Sequence, residues 1–145
     1  SDVFERDTCS GEPGCLPSTV RVSVTSSGEQ IAGASNSPDF VRWDGEDVPF
    51  VTAANGVVPE DTNSLADVYV RHICPVGAAD YCRAATTRVS VGVGGVQGDG
   101  ASYAPRLNHD PWGVWVVTFM SDATNLIPGV VTTANYGCIF MSRIP

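Results

Sequence analysis

The segment DVYVRHIC (Asp67–Cys74), followed after a seven-residue loop by CRAATTRVSV (Cys82–Val91), decides the fold of this chain. The same plan opens the sequence as DVFERDTC (Asp2–Cys9) and CLPSTVRVSV (Cys15–Val24), with five residues in between. In both copies an Asp lies seven positions before the first Cys, and the second Cys lies six positions before an Arg. Two fixed spacings around a loop of variable length indicate an internal repeat, and the rest of the chain is interpreted from it.

Composition limits the classes of partner. The chain has 145 residues, of which 43% are hydrophobic and 17% charged, and this suits one domain with a sizeable core. The net charge is −8, and all 8 basic residues are Arg. Because an acidic chain without a basic cluster repels phosphate backbones, we expect no nucleic-acid partner. No run approaches the ~18 apolar residues of a spanning helix, so we expect no membrane span.

The five cysteines predict two local disulfides, Cys9–Cys15 and Cys74–Cys82. These pairs flank equivalent loops, and their spacings are longer than those typical of zinc-binding pairs. Disulfides persist in oxidising compartments, so the protein is expected to be extracellular or at the cell surface. Closing each short loop contributes roughly 2–3 kcal/mol on the chain-entropy model. Cys138 is left over, as either a buried thiol or a link to a second subunit.

Period-two alternation predicts an all-β protein of nine short strands, with no helix of ten or more residues. One strand at Asp2–Asp7 precedes two sets of four. The pattern predicts strands at Val20–Val24, Val48–Thr52, Asp67–Arg71, Thr87–Val91 and Cys138–Ser142, among others, and a hairpin turn at Asp44-Gly45.

The repeat covers nearly the whole chain. GGVQGDGASYAP (94–105) parallels SGEQIAGASNSP (27–38), and VWVVTFMS (114–121) parallels VPFVTA (48–53). We therefore interpret residues 1–145 as a single all-β domain. It consists of an orphan strand and disulfide loop at 1–18, a first repeat at 19–73 and a second repeat at 74–145. Each repeat holds four antiparallel strands, which is the plan of a propeller blade.

The motifs of these repeats resemble the TolB-like β-propeller repeats of bacterial secreted proteins. The likeness rests on Arg21–Val24 and Arg88–Val91, on Asp44-Gly45, on Asp61-Thr62-Asn63, and on Asp2-Val3-Phe4 and Asp67-Val68-Tyr69. It implies blade-like sheets that serve as a scaffold or binding platform, with no catalytic group in the motif. The second unit departs from the pattern, since it lacks the Asp-Thr-Asn segment and has Cys138 in place of the Asp.

Two blades cannot close a propeller, which needs roughly four to eight. The uncovered edges and the leading strand predict self-association by strand addition, through Asp2, Val3, Phe4 and Cys138. Copies could close a ring or stack into an open fibre. The chain could also be part of a longer propeller, or its two units could fold face to face as a sandwich.

The sequence offers little catalytic chemistry. Its two histidines, His72 and His109, lie at a strand end and in a turn, and no hydrolase, metalloprotease or P-loop motif occurs. We therefore expect that the protein is not an enzyme and that it needs no cofactor.

Two sets of residues suggest binding. Asp61, Asn63 and Asp67 could ligate Ca²⁺, although Asp and Asn in such loops more often bond their own backbone. Trp112, in a turn, could stack against a glycan. The sequence thus favours an extracellular structural subunit, such as one that builds a surface fibre. The alternative is a partial propeller that binds glycan or peptide through loop aromatics.

Overall fold

The protein is all-β, as its sequence predicts. A computed structural model describes residues 1–39, 46–74, 81–109, 114–130 and 137–144. These residues form nine strands, and their only helical element is a 3-10 turn at Cys9–Gly11. The strands are β1 (Phe4–Asp7), β2 (Ser18–Arg21), β3 (Ser35–Asn36), β4 (Asp47–Thr52), β5 (Asp67–His72), β6 (Ala85–Arg88), β7 (Ser102–His109), β8 (Trp115–Ser121) and β9 (Cys138–Arg143).

Hydrogen bonding divides the nine strands into three open antiparallel sheets. The first sheet is β1-β2, the middle sheet is β3-β4-β5-β6, and the last sheet is β7-β8-β9. The leading strand is therefore not an orphan: it pairs with β2, from Phe4 opposite Arg21 to Asp7 opposite Ser18. The sheets are offset from the repeats of the sequence because each disulfide loop connects two neighbouring strands of one sheet.

The predicted strands at Val20–Val24 and Thr87–Val91 begin and end earlier in the structure. In the middle sheet the amides of Val89 and Ser90 both donate to the carbonyl of Val68, at 2.9 and 3.4 Å. Two residues opposite one is the arrangement of a β-bulge, which interrupts the ladder and bends the strand. The first sheet ends β2 in the same way, since the amides of Val22 and Ser23 both donate to the carbonyl of Val3. The alternating residues that follow leave the sheet, and Val24 and Val91 form isolated bridges to Gln30 and Gln97.

The core consists of two layers on either side of the middle sheet. One cluster joins the first and middle sheets and contains Val3, Val22, Ile31, Val48, Phe50, Val57 and Tyr69. The other joins the middle and last sheets and contains Val51, Val68, Val70, Val89, Leu107, Val117, Phe119, Ala123 and Leu126. Since alternate residues of a strand face opposite sides, burial on both sides explains why β4 and β5 contain the consecutive apolar runs Val48–Val51 and Val68–Val70.

Some predicted features lie outside the described residues. They are the apolar stretch Phe40–Trp43, the Asp44-Gly45 turn and Trp112. Within the described residues, no helix has the length and apolar character needed to cross a membrane.

Candidate assembly site

The two terminal sheets are incomplete versions of the middle sheet, and this is visible in the strand registers. Tyr69 lies opposite Arg88 in the middle sheet, as Phe4 lies opposite Arg21 in the first. Strand β1 therefore holds the place of β5, and β2 holds the place of β6.

The last sheet repeats the register of the other strand pair of the middle sheet, β4 with β5. Thr52 lies opposite Asp67 in the middle sheet, and Ser121 lies opposite Cys138 in the last. Strands β7, β8 and β9 thus occupy the places of β3, β4 and β5. Among the described residues, the first sheet has no strands in the places of β3 and β4, and the last sheet has no strand in the place of β6.

Side-chain contacts at the two disulfide junctions repeat as well. Ser90 Oγ donates to Asp67 at 2.6 Å and accepts from the amide of Val68 at 3.0 Å. In the first sheet Ser23 Oγ donates to Asp2 at 3.2 Å and accepts from the amide of Val3 at 3.1 Å. The Asp and the Ser of the sequence motif therefore tie the start of one strand to the bulge of the next.

The last sheet exposes apolar side chains that the middle sheet buries. Ile139 and Met141 of β9 are 77% and 66% exposed, whereas Val68 and Val70 at the same places in β5 are 0% and 2% exposed. The face of β9 toward the middle sheet is covered, since Phe140 stacks on Phe119 at 5.8 Å between ring centroids. Only the face that points away from the middle sheet is open.

The first sheet is open on the opposite side. Phe4 is 55% exposed, although Tyr69 at the equivalent place is fully buried. The guanidinium of Arg21 lies over the Phe4 ring, 5.3 Å from its centroid, and also reaches Asp2 at 3.8 Å. Of the predicted assembly residues in this strand, Val3 is in the core and Asp2 is half-buried, so Phe4 is the one that faces outward.

Both terminal sheets also have an open edge. Within the described residues, no strand pairs with the outer side of β1 or of β9. A groove of about 510 Å³ runs beside β1 and is bounded by Phe4, Arg6, Pro38 and Val48. Cys138, the fourth predicted assembly residue, is a half-buried thiol at the start of β9.

The residues proposed to bind calcium lie in a buried ionic network. Arg88 Nη1 lies 3.8 Å from Asp61 Oδ1 and 3.5 Å from Asp67 Oδ2, and all three side chains are at most 4% exposed. Tyr69 donates its hydroxyl proton to Asp61 at 2.7 Å. Burial raises the pKa of Asp67, against the lowering effects of Ser90 and Arg88. A guanidinium thus supplies the positive charge between the two carboxylates.

The third of these residues, Asn63, shapes its own loop. Its Oδ1 accepts from the amide of Leu65 at 3.0 Å, and its Nδ2 donates to the carbonyl of Gly98 at 2.8 Å. This is the Asx-turn geometry expected of such loops. These contacts favour the turn interpretation of the Asp-Thr-Asn segment, and calcium binding stays a prediction.

The buried Tyr69 predicts a loss of stability in alkali. Burial, and then the hydrogen bond to Asp61, raise the pKa of this phenol far above its ordinary value. A raised pKa favours folding while the unfolded phenol is still protonated, and that contribution disappears as the pH rises past about 10. Urea unfolding between about pH 8 and 11 should show this decline. Tyr69→Phe should flatten it, whereas replacing the exposed Tyr81 with Phe should not; equal slopes in all three proteins would contradict this assignment.

Both predicted disulfides are present. In each, the side chain two residues before the first cysteine contacts the sulfur of the second cysteine. Asp7 Oδ2 lies 3.9 Å from Cys15 Sγ, and His72 Nε2 lies 3.4 Å from Cys82 Sγ. His72 also contacts Asp47 Oδ1 through Nδ1, at 3.0 Å.

Sequence reasoning missed three features of this site. The exposure of Ile139 and Met141 had only a weak signal in the sequence, namely the apolar run Ile139–Met141, which places apolar side chains on both faces of β9. The role of Arg88 could not be inferred from spacing, and the contact between Asp47 and His72 joins two strands that are distant in sequence.

Comparison with protein-family models, with curated proteins and with solved structures found no match to this chain. The candidate site is therefore described by its geometry alone, as two terminal sheets that each have fewer strands than the middle sheet among the described residues.

Proposed function

We propose that this protein is an extracellular structural subunit that assembles by strand addition. Strand β9 of one copy adds antiparallel to the open edge of β1 in the next copy, and repetition of this contact builds a surface fibre. The two disulfides support a location in an oxidising compartment.

The exposure of Ile139 and Met141 is the observation that carries this proposal. The equivalent side chains in β5, Val68 and Val70, are buried against the last sheet. An additional sheet could bury Ile139 and Met141 in the same way. An exposed apolar strip along an open-edged strand favours pairing with another chain. Covering the two side chains would contribute about 1.5–3 kcal/mol each before the entropy of association is subtracted.

The edge of β1 offers the hydrogen-bonding groups that an added strand needs. Val3 directs its amide and carbonyl toward the β2 side, where they contact Ser23 and Val22. Because these directions alternate along an antiparallel strand, the backbone groups of Phe4 and Arg6 point to the open edge. The adjacent groove is partly apolar, through Phe4 and Val48, and can receive Ile139 and Met141.

The contact joins two different surfaces, and this determines the form of the assembly. After one such contact forms, the pair of copies still has one open β1 edge and one open β9 edge. A heterologous contact of this kind continues as a filament unless its rotation closes a ring. The contact thus favours long assemblies over a closed dimer.

The test uses two variants that each block one edge. Ile139→Glu with Met141→Glu places two charges on β9 and leaves β1 intact. Arg6→Pro removes an outward amide from β1 and leaves β9 intact. We expect the wild type to form polymers visible by negative-stain electron microscopy. Each variant alone should be monomeric by light scattering, and an equimolar mixture should form a heterodimer and nothing longer.

A control is Val93→Glu, which places one such charge on another side chain that is 69% exposed and lies in the connection between β6 and β7, outside both edge strands. It should assemble as the wild type does. A stable wild-type monomer in dilute neutral buffer would overturn the proposal and favour the binding-module alternative. Polymers that persist in the Ile139/Met141 double variant would overturn the assignment to β9.

A further inference from the structure

The Cys74–Cys82 disulfide differs chemically from its counterpart in the first sheet. We propose that it is a thiol-exchange site, in which His72 acts as the general acid for a departing Cys82 thiolate and small-molecule thiols are the co-reactants. This inference does not depend on assembly.

Three groups from two strands and a loop converge on this disulfide. His72 ends β5, Asp47 begins β4 directly opposite it, and Cys82 precedes β6. The distances are 3.0 Å from Asp47 Oδ1 to His72 Nδ1 and 3.4 Å from His72 Nε2 to Cys82 Sγ. A carboxylate that accepts Nδ1–H fixes the ring so that Nε2 faces the sulfur, the same division of roles as in a Cys-His catalytic pair.

The site is accessible to small molecules. Cys74, Cys82 and His72 are all half-buried rather than enclosed. A cavity of about 310 Å³ borders His72 and Asp47, with Arg83 and Ile144 also on its wall. The imidazole can therefore exchange protons with solvent through this opening.

The reduction proceeds as two successive thiol–disulfide exchanges. An external thiolate attacks Cys74 Sγ, a mixed disulfide forms there, and the Cys74–Cys82 bond breaks with its electron pair on Cys82. The imidazolium of His72 donates its Nε2 proton to that thiolate and regains a proton from solvent. A second external thiolate then attacks the external sulfur of the mixed disulfide and releases Cys74. Two external thiols are oxidised to one disulfide, and both cysteines are reduced.

The direction of attack follows from the position of His72. A thiol leaves faster when its thiolate is stabilised, and a neighbouring imidazolium stabilises thiolates. His72 contacts Cys82 Sγ, so Cys82 is the leaving group and Cys74 receives the external sulfur.

The first disulfide is a control within the same molecule. Cys9 and Cys15 are also half-buried and close an equivalent loop, but Asp7 takes the place of His72. Its carboxylate lies 3.9 Å from Cys15 Sγ and accepts from the amide of Cys9 at 2.7 Å. A carboxylate beside the departing sulfur opposes a second negative charge, so this disulfide should resist exchange.

The experiment measures both disulfides in one native protein. The folded chain is treated with 2-mercaptoethanol at a fixed pH of about 6.5, where an imidazole can still carry the proton that it donates. The reaction is quenched with N-ethylmaleimide, and the products are mapped by peptide mass spectrometry. We expect Cys74–Cys82 to open roughly tenfold faster than Cys9–Cys15. The first mercaptoethanol adduct should be on Cys74.

The decisive variant is His72→Asp, which gives the second loop the side chain of the first. It should slow the opening of Cys74–Cys82 to the rate of Cys9–Cys15 and leave the latter unchanged. His72→Gln, a neutral side chain of similar reach, should also slow the opening and remove the preference for adducts on Cys74, which a merely structural role would not affect. Equal opening rates in the wild type, or initial adducts on Cys82, would overturn the proposal.

Discussion

Replacing Arg88 with alanine is expected to lower the free energy of unfolding by about 3–5 kcal/mol, because it leaves buried carboxylates without a counter-charge. Arg88 lies between Asp61 and Asp67 and also donates to the carbonyl of Glu60 at 3.4 Å. Removing one partner of a buried ion pair lowers stability by more than the pair's net contribution, because the remaining charge stays buried without compensation. Urea unfolding, carried out in the Ile139→Glu/Met141→Glu background so that the chain is monomeric, measures the loss.

The pH dependence separates this cause from a simple packing defect. Without Arg88, the pKa of Asp67 in the folded state should rise further above its unfolded value. A raised carboxyl pKa contributes stability below the unfolded pKa of about 4, and that contribution disappears as the pH rises. The difference between Arg88→Ala and its parent should therefore be large at neutral pH and smaller in acid. A difference that is constant with pH would contradict the electrostatic explanation.

Arg21→Ala is the matched control, because Arg21 holds the place of Arg88 in the first sheet. Its ion pair with Asp2, at 3.8 Å, joins side chains that are 33% and 22% exposed. Partly exposed pairs contribute about 0–1 kcal/mol, so this variant should be close to its parent. If the two variants lost free energy of unfolding to within about 1 kcal/mol of each other, burial of the Arg88 ion pairs would not explain the loss.

The sequence was sufficient to predict the fold class and both disulfides, and the described residues form nine short strands, the number expected for the chain. These features follow from local patterns: alternation of apolar residues, fixed spacings, and cysteines that flank short loops. Offsets of the same motif also predicted which strands are equivalent, and the registers of Tyr69 with Arg88 and of Phe4 with Arg21 agree with that repeat.

The division into sheets was not predicted correctly in detail. The leading strand was expected to be unpaired, and it pairs with β2. A sequence repeat has no intrinsic starting point, so the boundary between two repeat units can be placed either before or after the disulfide loop. Only the hydrogen bonds show that the loop lies inside a sheet, and this places β1 and β2 together.

The chemistry of the site depends on contacts between distant strands, which spacing does not reveal. His72 ended a predicted strand and had no assigned role, but the β4–β5 register brings Asp47 to it. Asp61 and Asp67 were grouped as calcium ligands by their closeness in sequence, and Arg88 comes from the next strand. In each case the pairing of strands decides which charges meet.

Phe50→Ala is the second large prediction, with an expected loss of about 3–5 kcal/mol in the free energy of unfolding. Phe50 is fully buried in the cluster between the first and middle sheets, and its ring stacks on Tyr69 at 5.6 Å between centroids. Truncation removes apolar contact and leaves a cavity, whose cost depends on how far the surroundings can collapse into it. Tyr69 cannot move readily, because its hydroxyl is bonded to the buried Asp61.

Phe119→Ala tests that argument at the equivalent place in the last sheet. Phe119 is also buried and stacks on Phe140, but Phe140 is only half-buried and belongs to β9, whose outer edge has no strand partner among the described residues. Because β9 can shift toward the cavity, the loss should be smaller than for Phe50→Ala, by about 1 kcal/mol. Urea unfolding of both variants in a monomeric background provides the comparison. An equal or greater loss for Phe119→Ala would mean that the last sheet is as rigidly packed as the middle one. That result would argue against a last sheet whose open edge is completed by a strand from another copy.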